Sequence, residues 1–426
     1  MTIQPSFLTG LRSASVHPIS IASADGEFPM LRRGLAPPRS TKKAWLQLSA
    51  SSDGVLDWEE GPPGIPGMSK RRRGIGTQII GGTQNVSFDR LEPSMITSFL
   101  SSQDAHFTPA RGLRKHKPNV GLANAKLPDS GNALLFIHGT FSNGKNVLKS
   151  LQDTEHGLAF LRDASKKYSG NIFSFDHPTI SVGPLLNAID LQRAIGKSQA
   201  KIDIITHSRG GLVTRWWCEA FDPQLDRCKN AILVGSPLAG TGLAAPPNIR
   251  KTLKLLTNFG NALSGITGVA TAAIPVLGIV NTLLRVITSV TSLAASTPIA
   301  DSIMAMIPGL FAQSRVGNNP ELLRLHESNG TIDRYASVRS DYQSEDPGWR
   351  FWKYFSKGVI VDSAADMIFD GSNDLVVDTE SMAYLSKTSV IPPTRTFDFE
   401  KKDLVHHLNY FERLDTTDFF RKILNV

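Results

Sequence analysis

The segment Ile204–Gly211, IITHSRGG, carries the sharpest chemical signal in the chain. An apolar run meets a single serine at an apex and then enters a helix through glycines. This is the pattern of a nucleophile elbow, in which a sharp strand-to-helix turn holds a serine hydroxyl exposed on a strained backbone. Ser208 is the apex and Gly210 the small residue two positions on, while Thr206 stands where the strict pattern has a preceding glycine. A serine hydroxyl is a weak nucleophile near neutral pH, so it needs a base within hydrogen-bond reach and a third group to orient that base. Residues toward the C-terminus offer both. In FDGSNDLVVDTESM, Asp374 lies in a polar turn directly before apolar residues. Asp370 rivals it, because Asp-Gly is equally a turn signal, and Asp378 reads as an N-cap for the following ESMAYL. In VHHLNYF, His406 and His407 fall on the loop after the last strand, and either could serve as the base.

Acyl transfer also needs donors for the oxygen on which negative charge develops. FIHGTF, Phe136–Phe141, supplies one. Gly139 lets the backbone bend so that the Thr140 N–H points toward a pocket, and the N–H of Arg209, next after the serine, is the second. His138 reads as a structural hydrogen-bonding residue rather than a proton carrier.

These residues need a rigid frame. ALLFIHG from Ala133, NIFSFDHP from Asn171, KIDIITHS from Lys201 and NAILVGSP from Asn230 are continuous apolar runs ending in turns, as expected of strands buried on both faces of a parallel sheet. Between them lie stretches of helical composition, so strands alternate with helices in the α/β manner. RYASVRSDY, GVIVDSA and TRTFDFE read as later strands, and Phe419, Phe420, Ile423 and Leu424 fit one face of a closing helix. A short β-type run, AWLQLSA, stands upstream at Ala44–Ala50.

FIHGT, THSRGG, NDLVV and HLNYF together resemble the α/β-hydrolase superfamily in its lipase-like branch, over Ala133 to Val426. The resemblance implies a mostly parallel central sheet flanked by helices with an inserted helical cap. It assigns the nucleophile to Ser208, the acid to Asp374 and the base to His407 in preference to His406. It also implies a serine hydrolase of carboxylic esters, lipid-like ones above all, acting without cofactor or metal.

The 426 residues exceed what a single core usually supports. We expect a poorly organised extension or small β-rich appendage over 1–130 and the α/β domain over 131–426, with the cap at about 241–315. No charged residue occurs from Leu255 to Leu284, and Arg285 alone interrupts onward to Ala300. The Asn residues and Pro275 inside this stretch favour a cap over a membrane span, a membrane-anchored protein or a non-catalytic binding module being the competing readings.

The formal charge of +8 is uneven: residues 1–130 hold 16 Lys and Arg against 10 Asp and Glu, whereas the remainder holds 30 against 28. The basic cluster Lys70–Arg73 has no interleaved aromatics, so it reads as a solvated loop rather than a nucleic-acid surface, with peripheral contact to an anionic membrane left open. The first twenty residues lack a basic start and a continuous apolar run, which points to a cytoplasmic protein. Cys218 and Cys228 are accordingly expected as reduced, buried thiols.

Overall fold

The computed structural model describes residues 96–118, 120–224, 226–244, 307–315, 319–328, 332–342, 372–374, 376–400 and 405–426. It also describes residues 20–22, 43–50, 56–60 and 84–89 and a few single positions at 9 and between 257 and 284. Two compact units emerge, one comprising Met1–Ile96, Pro247–Ile303 and Ser344–Ile368, the other Thr97–Pro246, Met304–Gln343 and Phe369–Val426.

In the first unit, β1 (Ser20–Ala22), β2 (Lys43–Ala50), β3 (Leu56–Glu60) and β4 (Gln84–Asp89) form an antiparallel sheet ordered β1-β4-β2-β3. Leu46, Leu48, Leu56 and Trp58 are buried, which is the alternation of a sheet with one covered face. The Trp58 indole donates to Thr257 Oγ1 at 2.9 Å, tying the sheet to the start of the charge-poor segment. Most of Leu255–Ala300, and all of GVIVDSA at 358–364, lie outside the described residues. Among those described, no helix is long and apolar enough to cross a membrane.

The second unit is built on an eight-stranded sheet. Its elements in chain order are α1 (Ile96–Phe107), β5 (Gly112–Lys117), β6 (Gly121–Asn124), β7 (Asn132–Ile137), α2 (Gly144–Gln152), α3 (Glu155–Lys167), β8 (Ile172–Asp176), α4 (Pro184–Ile195), β9 (Lys201–His207), α5 (Gly210–Phe221) and β10 (Ala231–Val234). Then follow α6 (Pro308–Phe311), α7 (Pro320–His326), β11 (Tyr335–Ser340), the hairpin β12 (Tyr384–Ser386) and β13 (Ser389–Val390), β14 (Thr396–Phe399) and α8 (Leu414–Leu424). The sheet order is β14-β11-β10-β9-β7-β8-β5-β6. Every pairing from β14 to β8 is parallel, and β5 and β6 close the edge antiparallel.

The central strands are apolar throughout because both faces are covered. Leu135, Ile137, Ile204 and Leu233 face α4 and α5 through Leu191, Ile195, Leu212 and Trp217. Leu134, Phe136, Ile205 and Ile232 face α2, α3 and α8 through Leu148, Phe160, Phe419 and Phe420. This is the mostly parallel, helix-flanked α/β-hydrolase architecture expected from the sequence. The sheet nevertheless begins at Gly112, upstream of the boundary drawn at 131. GLRKHK of β5 buries only Leu113, so a half-exposed strand near the sheet edge lacks the apolar run that marks a central one.

Thr241 bridges Ser314 in parallel, with its amide donating to the Gln313 carbonyl at 2.9 Å and its carbonyl accepting from Arg315 N at 3.1 Å.

Candidate active site

β9 ends at His207 and α5 starts at Gly210, leaving Ser208 on the turn with φ 54°, in the left-handed region that a residue bearing a Cβ enters at a cost. Close packing compels this turn. A Cβ added at Gly210 would lie 2.4 Å from the Ile137 carbonyl oxygen, and one at Gly211 2.3 Å from Ser236 Oγ. Both positions must be bare for α5 to meet β7 and the end of β10. Thr206 is accommodated because its Oγ1 meets the Ser236 hydroxyl at 3.5 Å. Ser208 N donates to the Val234 carbonyl at 2.8 Å, which fixes the serine to the strand end beside it.

The turn after β7 presses on the serine. A Cβ at Gly139 would come 2.8 Å from Ser208 Cβ, so only glycine allows this approach. Among the described residues, the amides of Thr140 and Arg209 have no protein acceptor. Thr140 Oγ1 accepts from Gln313 Nε2 at 3.0 Å, and Phe141, with φ 55°, donates its amide to Thr179 Oγ1 at 3.1 Å. Beneath this turn Asp104 of α1 accepts from the amides of Thr179 (2.6 Å), Ile180 (2.9 Å) and Ser181 (2.7 Å). His138 Nε2 accepts from His177 N at 3.1 Å, so its Nδ1 carries the proton and donates to the Gly139 carbonyl at 2.9 Å. Burial lowers the pKa of both His138 and His177, whose rings stack at 4.1 Å, and keeps them neutral scaffolding. Arg209 sends its side chain away from the turn, to the carbonyls of Gly309 and Val182, and burial lowers its guanidinium to about 10.

Asp374 and His407 come together. His407 Nδ1 donates to Asp374 Oδ2 at 2.7 Å, with the carboxylate fully buried and the ring 6% exposed. Asp374 Oδ1 accepts from the amides of Val376 (3.0 Å) and Val377 (2.8 Å), and Oδ2 accepts also from the Tyr410 hydroxyl at 2.9 Å. His207 Nε2 donates to the His407 carbonyl at 2.8 Å, joining the main chain of His407 to the residue before Ser208. From the other side, a Cβ at Gly235 would lie 3.2 Å from Asp374 Oδ2 and 3.4 Å from His407 Nδ1. Ser208 is thus tied through its two neighbours in space, His207 and Val234-Gly235, to the His407–Asp374 pair.

Of the rival residues, His406 points elsewhere. Its ring meets Tyr342 edge-on at 5.8 Å, its Nδ1 accepts from Leu408 N, and burial pushes it down to about 4. Asp378 pairs with Arg315 at 3.1 Å, and Asp370 lies outside the described residues. The residues that the sequence did not point to are Tyr410, Gln313, Thr179 and Asp104. Tyr410 alone stood inside a quoted motif, HLNYF. Cys218 on α5 and Cys228 in the loop before β10 are buried free thiols.

Sheet order, elbow and the placement of Asp374 and His407 after β11 and β14 define the chain's class as the α/β-hydrolase fold. Residues 97–425 match the family described as Domain of unknown function (DUF7379), and the chain belongs to that family. No curated protein matches the sequence. Among solved structures, lipase 1 from Pelosinus fermentans is 12% identical with a TM-score of 0.42, over 69% of this chain and 97% of that one. Phospholipase PlaB from Legionella pneumophila is 13% identical with a TM-score of 0.34, over 59% of this chain and 44% of that one. A metagenomic carboxyl esterase is 13% identical with a TM-score of 0.33, over 77% of this chain and 90% of that one.

Proposed function

We propose that the protein is a serine hydrolase that cleaves carboxylic esters through an acyl-enzyme. The observation that carries this reading is the 2.7 Å bond between His407 Nδ1 and the buried Asp374 carboxylate, fastened beside a serine in a left-handed turn. Asp374 holds the imidazole in the tautomer that leaves Nε2 free to accept a proton. Ser208 Oγ attacks the ester carbonyl carbon as its proton passes to His407 Nε2. The carbonyl π electrons move to oxygen, which takes hydrogen bonds from the amides of Thr140 and Arg209. Collapse breaks the bond to the alkoxy group, which leaves with the proton from His407. Water repeats the sequence on the acyl-enzyme, releasing the acid and restoring Ser208.

An apolar acyl group suits the surroundings of the oxyanion turn. Phe141, next to Thr140, meets Phe107 edge-on at 5.3 Å, and both rings are partly exposed. Lipid-like esters are therefore the substrate class we favour, with a peripheral approach to a membrane surface as the corresponding partner. A series of p-nitrophenyl esters of increasing acyl length tests this. Turnover rising with chain length and absent in Ser208→Ala supports the reading; no turnover of any ester by the wild-type protein favours a binding module on the same fold.

A further inference from the structure

We propose that Tyr410 is a positioning residue for the acid–base pair: its hydroxyl shares Asp374 Oδ2 with His407 Nδ1 and thereby sets how firmly the carboxylate holds the proton of the base. The inference rests on the reading of Ser208, His407 and Asp374 as a catalytic relay.

The geometry divides the carboxylate in two. Oδ1 is taken by the Val376 and Val377 amides at 3.0 and 2.8 Å, so Oδ2 alone faces the imidazole. That oxygen accepts two donors, His407 Nδ1 at 2.7 Å and the Tyr410 hydroxyl at 2.9 Å. The other acceptor near the phenol is the Met382 sulfur at 3.6 Å, a weak partner that leaves Asp374 the preferred one. Tyr410 is fully buried, and its ring lies against Gly235, where an added Cβ would come within 2.8 Å of Cε2. Burial first, and then the Asp374 charge, push the phenol pKa well above its ordinary value, so the group remains an O–H donor wherever the enzyme works.

A donor on a carboxylate spreads and stabilises its charge, which reduces the attraction left for a second partner. With the hydroxyl removed, Oδ2 serves His407 alone. The imidazolium gains stability, and the base takes up its proton at higher pH. Other groups that act electrostatically on this cluster are His207 from β9, His406 and Arg413 from the last loop, and Asp398 from β14, which pairs with Arg339. All of them persist in a Tyr410→Phe variant, so the difference from wild type reports the hydroxyl.

The test is the pH dependence of labelling by a fluorophosphonate probe, together with kcat and KM on p-nitrophenyl butyrate, in the full chain. Tyr410→Phe keeps the ring over Gly235, and its acid limb should move up by about one pH unit, as loss of a hydrogen bond to a charged group implies. KM should stay unchanged. Fluorotyrosine at 410, a stronger donor in the same ring, should move the limb down and gives an independent readout should Tyr410→Phe not fold. Limbs that superimpose on wild type in both variants overturn the proposal. Labelling of Ser208→Ala at the wild-type rate would instead overturn the relay itself, and the proposal with it.

Discussion

His407 is bound to Asp374 twice, through its ring Nδ1 to the carboxylate at 2.7 Å and through its main-chain amide to the Asp374 carbonyl at 3.0 Å. The second bond fixes the loop and the first the ring, so the fold alone orients the imidazole. Asp374→Asn leaves the main-chain bond and the turn amides in place while spoiling the tautomer. We expect kcat to fall by about three to four orders of magnitude with an unchanged circular dichroism spectrum. His407→Ala should be equally damaging. If His406→Ala proves the crippling change instead, the base is misassigned.

Close packing at the elbow gives a second expectation. A Cβ at Gly210 would sit 2.4 Å from the Ile137 carbonyl oxygen and 2.9 Å from that of His138, both backbone atoms of the turn that carries Thr140. Gly210→Ala must therefore move α5 away from β7 and displace Ser208 from the turn that carries Thr140. A stability loss of about 1–3 kcal/mol by denaturant titration, as for overpacking elsewhere, should accompany a larger proportional loss of activity. A variant with wild-type stability and rate would show that the elbow has slack.

The contribution of Asp104 can be read separately. Its carboxylate gathers the Thr179, Ile180 and Ser181 amides, and Thr179 in turn holds Phe141 N at 3.1 Å. Asp104→Ala strands the buried Thr179 and Ile180 amides and the half-buried Ser181 amide, and should cost about 3–5 kcal/mol. Thr179→Val removes one acceptor and should lower kcat more than it lowers stability, with Thr179→Ser restoring most of the rate. Equal rates in Val and Ser variants would contradict the link to the turn that carries Thr140.

Burial, reinforced by the His407 ring, pushes His207 down to about 3. The unfolded chain takes up a proton at this residue near 6.5, whereas the folded protein does not until about 3. Between those values the unfolded state binds more protons, so stability declines as the pH falls through that window. His207→Gln, which keeps a side-chain donor but does not titrate, should flatten the decline in Tm measured from pH 7 to pH 4.5. Parallel curves for wild type and variant would assign the decline to other groups.

How much of this was legible beforehand follows from where each residue's partners lie. β7, β8, β9 and β10 announce themselves because burial on both faces demands unbroken apolar runs, whereas β5, with only Leu113 buried, does not. The apex serine between an apolar run and the elbow glycines was enough to single out Ser208, whereas turn chemistry left Asp370 a rival to Asp374 and only the family resemblance chose between them. The adjacent rings of His406 and His407 diverge through loop geometry that no residue type encodes. Asp104 reaches a loop 75 residues away and Tyr410 a carboxylate 36 residues away, and nothing local to either position marks such a bond.

The most direct measurement is active-site labelling of the purified full-length protein with a fluorophosphonate, followed by peptide mass spectrometry. The expected result is one adduct, on Ser208, formed at a rate that collapses in Asp374→Asn and His407→Ala and is absent in Ser208→Ala. Undiminished labelling of Ser208→Ala, or an adduct on another residue of the wild-type protein, would contradict the assignment of Ser208 as the nucleophile.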